Sequence, residues 1–137
     1  MTLKNTILLY LATLAVFFLI DMVWLGLVAK NFYRQQLGEL LSPKVTWWAA
    51  ILFYLLFIAG LQIFVVAPAL GAGGALQALW RGALFGLVAY ATYDLTNLAT
   101  LKNWPLTVTA VDLGWGAVLG GTVSCCAVLI GRWLLRN

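Results

Sequence analysis

The sequence predicts an all-α integral membrane protein, folded as a four-helix transmembrane bundle with short loops. The 137 residues are 64% hydrophobic and only 9% charged, with a mean hydropathy of +1.01. Soluble domains, by contrast, carry about 25% charged residues. The apolar residues fall into four runs of roughly 20 or more residues, the length that an α-helix needs to cross a bilayer. The chain has room for one domain, which we place at residues 1–137.

The predicted transmembrane helices span about residues 5–29, 46–67, 77–101 and 106–132. A cleavable signal peptide is the rival interpretation of the first run. That run is too long for a signal peptide, contains an acidic residue, and lacks a good small-x-small cleavage site. We therefore predict a first transmembrane helix.

The polar connection between the first two helices contains a second helical pattern, at residues 31–41. Its apolar members recur at helical spacing among charged and amide side chains; they are Tyr33, Leu37, Leu40 and Leu41. This spacing is typical of a short amphipathic helix lying in the membrane interface. An irregular loop is the alternative.

Two glycine pairs and one amide indicate how the helices pack. Gly82 with Gly86, and Gly116 with Gly120, form small-xxx-small surfaces that allow helix backbones to approach closely. The same two faces are where a homo-oligomer would form. Gln62 lies in an otherwise apolar run, and we expect it to bond a neighbouring helix.

Three acidic residues lie inside the apolar runs: Asp21, Asp94 and Asp112. Placing an acidic side chain within a membrane-spanning helix costs free energy, so such a residue usually pairs with another polar group or serves a function. At the α-helical rise, all three lie roughly 6 to 10 Å from the helix middle, toward the side of the first and third loops. We therefore predict that they share one polar pocket.

The helical faces around these acids supply the other candidate pocket residues. The Asp-x-x-Trp spacing at Asp21 and again at Asp112 puts an acid and an indole on one helix face. An indole N–H can donate to a carboxylate on a facing helix. The predicted ligand-binding or polar-pocket residues are Asp21, Trp24, Tyr90, Tyr93, Asp94, Asn97, Asp112 and Trp115.

Composition excludes several classes of site. The chain has no histidine, which removes the commonest metal ligand and general base, and also histidine-ligated haem. No cofactor is evident and no metal site is predicted, although three carboxylates could in principle hold a hard cation such as Mg²⁺. Cys125 and Cys126 are helix neighbours about 100° apart, so they do not suit a mutual disulfide. The eight basic residues are scattered at segment ends, which favours membrane lipids over nucleic acid as partners.

Three functions fit such a pocket. In the first, it binds or modifies an amphiphilic, lipid-like small molecule: one carboxylate acts as general acid or base, and tyrosines and indoles orient the polar head. In the second, the protein is a non-enzymatic membrane scaffold or oligomer-forming subunit, whose protonated acids only hold the bundle in register. In the third, the acids form a proton or cation pathway. Whether the protein is an enzyme stays open.

Several motifs also make the chain resemble a known bacterial family. They are Asp21-x-x-Trp24-Leu25-Gly26, Asn31-Phe32-Tyr33, and Tyr93-Asp94-Leu95-Thr96-Asn97-Leu98-Ala99-Thr100, the last followed by Trp104-Pro105, Asp112 and Trp115. The chain resembles, over nearly its whole length, the small four-helix membrane proteins called domain of unknown function 2177. The resemblance implies a bacterial inner (cytoplasmic) membrane protein working near lipid-modifying enzymes, and it carries no established activity.

The charge distribution does not fix the orientation. Four basic residues are predicted on the side of the termini and four on the other side; they are Lys4, Arg81, Arg132 and Arg136, against Lys30, Arg34, Lys44 and Lys102. The positive-inside rule is therefore balanced. The free amino terminus favours both termini in the cytoplasm, which puts the acid layer toward the periplasm.

Overall fold

A computed structural model describes all 137 residues as an all-helical protein without strands. The α-helices are α1 (Leu3–Val23), α2 (Lys30–Leu37), α3 (Trp47–Leu61), α4 (Ala67–Gly71), α5 (Gly74–Thr100) and α6 (Leu106–Arg136). A single 3₁₀ turn, Gly38–Leu40, follows α2. Short connections join the helices. Helix α1 packs against both α6 and α3, and α5 packs along α6.

Two π-helical turns extend helices α1 and α3. The first covers Trp24–Val28, where the amide of Ala29 donates to the carbonyl of Trp24 at 2.8 Å, five residues earlier. The second covers Gln62–Val66 and joins α3 to α4. Pro68 follows it closely, and its missing N–H removes a normal helical bond, which is a common cause of such a local widening.

Three of the helical segments are long and apolar enough to cross a membrane. They are Leu3–Val28, Trp47–Gly71 and Leu106–Arg136, with mean hydropathies of 2.3, 2.5 and 1.8. Helix α5 is also long, at 27 residues, but it carries Arg81, Asp94 and Asn97 and is not among the three. Large apolar side chains such as Leu27, Leu56 and Phe64 are exposed on the outside of these segments. This arrangement is typical of a surface that faces lipid.

The observed helix ends differ most from the predicted ones at three places. The second segment was expected to end at residue 67, but it continues through α4 to Gly71. Helix α5 then begins at Gly74 instead of residue 77, because Gly73 and Gly74 adopt positive φ and complete the turn in very few residues. Helix α6 runs four residues past the expected end, to Arg136.

Helices α5 and α6 form the most extensive pair, and glycines bring them together. A Cβ atom at Gly86 would meet the carbonyl of Gly116, and one at Gly82 would meet the carbonyl of Gly120. The two glycine faces therefore pack against each other within one chain. They are not free surfaces, so a homo-oligomer through them would first require α5 and α6 to separate.

The two chain termini lie at the same end of the bundle. The side-chain amide of Asn5 donates to the carbonyl of Leu134 at 3.3 Å. Gln62 acts as the sequence predicts: its amide bonds a neighbouring helix, donating to the carbonyl of Thr6 at 3.0 Å. The hydrophobic core lies toward this end and the middle of the bundle, with Phe17 and Leu119 fully buried. The opposite end is open.

Candidate functional site

A cavity of about 790 Å³ occupies the end of the bundle opposite the termini. It lies between the end of the first segment, helix α2, the start of α3, the last turns of α5 and the first turns of α6. Twenty residues line it and 15 of them are hydrophobic. The space is therefore mainly apolar, with a few polar groups that converge on it.

Seven of the eight pocket residues predicted from the sequence line this cavity: Asp21, Trp24, Tyr90, Tyr93, Asp94, Asp112 and Trp115. Asn97, the eighth, is half-buried one turn beyond Asp94 and does not line it. The lining that α5 contributes ends at Asp94, and Asn97 lies one turn further along the helix. The role of these eight residues in ligand binding stays a prediction.

Asp21 is held by two donors from other helices. The hydroxyl of Tyr54 donates to one carboxylate oxygen at 3.1 Å, and the indole of Trp115 donates to the other at 3.2 Å. The side chain is 4% exposed. Both of its oxygens are thus satisfied by neutral groups, which fixes the carboxylate without a cation.

Asp112 belongs to a second chain of hydrogen bonds. The hydroxyl of Tyr33, on helix α2, donates to its carboxylate, and the indole of Trp24 donates to that same hydroxyl at 3.2 Å. This network ties α2 to α6 across the cavity. The pKa of the Tyr33 phenol is raised above its ordinary value mainly by burial and secondly by the hydrogen bond to Asp112. Tyr33 therefore remains a neutral donor at physiological pH.

Asp94 differs from the other two acids. It is fully buried, and neither of its carboxylate oxygens receives a hydrogen bond from the protein. Its carboxyl lies beside that of Asp112. A buried carboxylate without a donor is unusual, because leaving such a group unsatisfied costs about 1 to 3 kcal/mol or more. Apart from the neighbouring carboxyl of Asp112, neither oxygen of Asp94 has a protein partner.

Two tryptophans connect the two hydrogen-bonded acids. The rings of Trp24 and Trp115 stack with centroids 4.4 Å apart. Trp115 donates to Asp21, and Trp24 donates to the Tyr33 hydroxyl that holds Asp112. The stacked pair also separates the main cavity from a smaller, wholly apolar one of about 380 Å³ between the first segment and α6.

Several lining residues were missed by the sequence reasoning. Tyr33 was noted only as a member of the amphipathic pattern and Tyr54 was not singled out, yet they hold Asp112 and Asp21. Trp104 lines the cavity beside Tyr93, with ring centroids 5.7 Å apart, and its indole donates to Thr109 at 3.0 Å. A phenol in an apolar run was the available signal, but its partner lies in a different helix.

Two basic residues, Lys30 and Arg34, line the cavity from helix α2 and are exposed. The donors to Asp21 and Asp112 are tyrosines and tryptophans, and Asp94 has no donor. The cations are therefore not used to neutralise the acids. They lie on the solvent-facing side of the cavity, while the acids lie on the buried side.

The acids do not assemble into a metal centre. No group of three or more potential ligands among Asp, Glu, His and Cys is close enough to hold a metal ion. Asp21 is engaged by its own donors, which leaves Asp94 and Asp112 as the adjacent pair. A carboxyl pair of this kind can accept hydrogen bonds from a hydroxyl or an ammonium group. It can also share one proton between its two carboxyls.

Comparison with known families places the chain. A family model described as "Predicted membrane protein (DUF2177)" matches residues 6–129, which include every acid and aromatic residue of the cavity. The chain belongs to this family. No curated protein and no solved structure matches it. The cavity is thus a feature of a DUF2177 membrane protein, and its chemistry must be argued from its own residues.

Proposed function

We propose that this protein binds or modifies an amphiphilic, lipid-like small molecule in the cavity around Asp21, Asp94 and Asp112. One observation carries the proposal: three of the four acidic residues in the chain line a single cavity. In a membrane protein, buried acids commonly mark a functional pathway or site.

The unpartnered carboxyl of Asp94 supports a ligand over a purely structural role. An acid retained only for packing would have donors of its own, as Asp21 has in Tyr54 and Trp115. Asp94 has none. A bound molecule that donates to Asp94 would offset its desolvation, because a satisfied buried polar group is much less costly than an orphaned one.

The walls of the cavity support an amphiphile. Its volume of about 790 Å³ falls in the range of about 300 to 1,000 Å³ that is typical of small-molecule sites. Most of its lining is apolar, and Leu25, Ala49 and Phe53 are among the apolar residues that the first segment and α3 contribute. An apolar chain would lie against this wall while a polar head reaches the acids.

The polar groups also suit proton transfer. Tyr90 lines the cavity next to the acids, and Asp94 lies beside Asp112. A carboxyl within reach of a bound group can act as its general acid or base. If the ligand is modified, Asp94 is the residue to which we assign that role, since no phenol, indole or amide of the protein bonds its oxygens.

The placement in the membrane follows from the same reasoning. We propose that α5 crosses the bilayer as a fourth transmembrane helix, because its 27 residues span about 40 Å and it packs along α6. The cavity would then open at one membrane interface, with α2 lying at its mouth. We place the protein in the bacterial inner membrane with both termini in the cytoplasm, so that the cavity faces the periplasmic side.

The test is native mass spectrometry of the protein purified in a mild detergent, with Asp94→Asn as the diagnostic variant. The proposal expects a co-purified amphiphile on the wild type that is reduced at least about tenfold on the variant, a difference of one decade in affinity. Glu39→Gln, an acid outside the cavity, is the matched control and should keep the amphiphile.

Thermal stability measured on the same samples distinguishes the ligand-binding function from the scaffold function. Asn in place of Asp94 gains a donor that can bond Asp112 and loses no protein bond, so the unfolding temperature should stay the same or rise. Unchanged amphiphile content with a lower unfolding temperature would instead support the scaffold function. Acid-dependent proton flux in proteoliposomes, abolished by Asp94→Asn, would support the proton pathway.

A further inference from the structure

We infer that the molecule bound in this cavity carries both an ammonium group and a phosphate, with the ammonium at Asp94 and Asp112 and the phosphate at Lys30 and Arg34. This inference rests on the proposed function and specifies the polar head of its amphiphile. It follows from the way the cavity separates its acidic groups from its basic ones.

The buried side of the cavity holds three carboxyl groups that no protein cation pairs with. The donors to Asp21 and Asp112 are neutral phenol and indole groups. Asp94 has no phenol, indole or amide donor, and the polar group that lies beside it is the carboxyl of Asp112. Burying carboxylates is strongly unfavourable unless an opposite charge pairs with them. An ammonium supplies that charge together with the hydrogen-bond donors that Asp94 lacks.

Aromatic rings around the same acids favour a cation over a neutral hydroxyl. Several aromatic residues line the cavity together with the three acids, among them Tyr90, Tyr93, Trp104, Trp24 and Trp115. Ring faces attract an ammonium within about 6 Å of their centroids, an attraction that grows when water is excluded. Carboxylates combined with several aromatic rings are therefore a suitable environment for an amine.

The exposed side of the cavity has the opposite charge. Lys30 and Arg34 are four residues apart on helix α2, so they share one helix face. Neither is used to pair with the three acids. An arginine and a lysine at one site favour a phosphate, since both donate charge-assisted hydrogen bonds to its oxygens. A zwitterionic head oriented with its amine inward would match both ends of the cavity.

Four probes test this inference on the full-length protein in detergent, with intrinsic tryptophan fluorescence as the readout. They are dihexanoyl phosphatidylethanolamine, its N-acetylated form, dihexanoyl phosphatidylglycerol, and phosphoethanolamine without acyl chains. The N-acetylated lipid keeps the phosphate and chains but has no ammonium. We expect the amine lipid to bind at least about tenfold more tightly than each of the other three.

Variants then assign each charge to its end of the cavity. Asp94→Asn should weaken the amine lipid about tenfold and leave the N-acetylated lipid nearly unchanged. The double variant Lys30→Gln and Arg34→Gln should weaken both lipids. Lys44→Gln, an exposed lysine that does not line the cavity, should weaken neither.

The possible results separate this inference from the function on which it rests. Equal binding of the amine lipid and the N-acetylated lipid would show that no ammonium group is recognised, while the proposed amphiphile site would stand. Binding of phosphoethanolamine as tight as that of the lipid, or no binding of any probe, would overturn the amphiphile site itself. Because the four probes are compared on the wild type, the experiment shows whether the ligand needs an ammonium group even if a variant does not fold.

Discussion

The indole rings of Trp24 and Trp115 stack almost in parallel, with centroids 4.4 Å apart and ring planes inclined by 9°. Trp24 begins the π-helical turn that follows α1, and Trp115 lies in α6. The stack joins the first and last long segments at the level of the cavity. It is also where the hydrogen bonds of Asp21 and Asp112 come together, because each indole donates to one of the two networks.

Replacement of Trp115 by Phe should distinguish the contribution of the hydrogen bond to stability from that of the ring stacking. Phe keeps an aromatic ring against Trp24 but has no N–H for Asp21, so we expect a loss of about 1 kcal/mol in the free energy of unfolding. Trp115→Ala should lose more, because the ring contact contributes about 0.5 to 1.5 kcal/mol beyond burial. Unfolding by sodium dodecyl sulfate in mixed micelles measures both. Trp133→Phe is the control, since that side chain is 63% exposed; an equal loss there would contradict the assignment.

Asp21→Asn should destabilise the protein, although Asp94→Asn should not. Tyr54 and Trp115 donate to different oxygens of Asp21. An Asn amide has only one acceptor oxygen, so one buried donor loses its partner at a cost of about 1 to 3 kcal/mol. Thermal unfolding of the two variants side by side checks this contrast. If Asp94→Asn were the less stable of the two, our view of Asp94 as an unpartnered group would be wrong.

Two glycines in α6 should respond in opposite ways to alanine. A Cβ at Gly116 would lie 2.6 Å from Cγ of Tyr90 and 2.7 Å from the carbonyl oxygen of Gly86, so Gly116→Ala must push α5 and α6 apart. We expect a loss of about 1 to 3 kcal/mol, the usual result of overpacking. Gly114 has open space, and Gly114→Ala should be neutral or stabilise the helix by up to about 1 kcal/mol. Denaturant titration in micelles compares them, and equal effects would be inconsistent with this packing.

Tyr33→Phe should show a pH-dependent loss of stability. The pKa of Tyr33 is raised by burial and by its bond to Asp112, so the neutral phenol is favoured in the folded protein. The stabilisation is fully present below the unfolded pKa of about 10 and is lost as pH rises toward the folded pKa. The difference in unfolding free energy between wild type and variant should therefore shrink above about pH 10.

Unfolding at several pH values between neutral and alkaline measures that difference. Because the other tyrosines are common to both proteins, their ionisation cancels in the comparison. A difference that stays constant through the alkaline range would show that the phenol of Tyr33 is not held in its neutral form. Proteolysis within α2 provides a second readout, since loss of the Tyr33 hydroxyl should release this helix from α6.

The pocket was partly predictable because depth along a helix can be counted from the sequence. Asp21, Asp94 and Asp112 were expected in one layer, and all three line one cavity in the structure. Asn97 was grouped with them by helical spacing but lies outside the cavity. Spacing specifies a face of a helix, whereas the extent of a cavity depends on where the neighbouring helices end.

The sequence by itself determined that this is a helical membrane protein, because hydrophobic composition and run length are properties of the chain alone. It also predicted that three acids share one pocket, and all three line one cavity. Only the tertiary structure decided which groups satisfy them: Tyr33 and Tyr54 reach Asp112 and Asp21 from other helices, whereas no phenol or indole reaches Asp94. It likewise decided that the glycine faces meet within one chain. Partners across helices depend on rotation and crossing geometry, which helix packing sets and local periodicity does not encode.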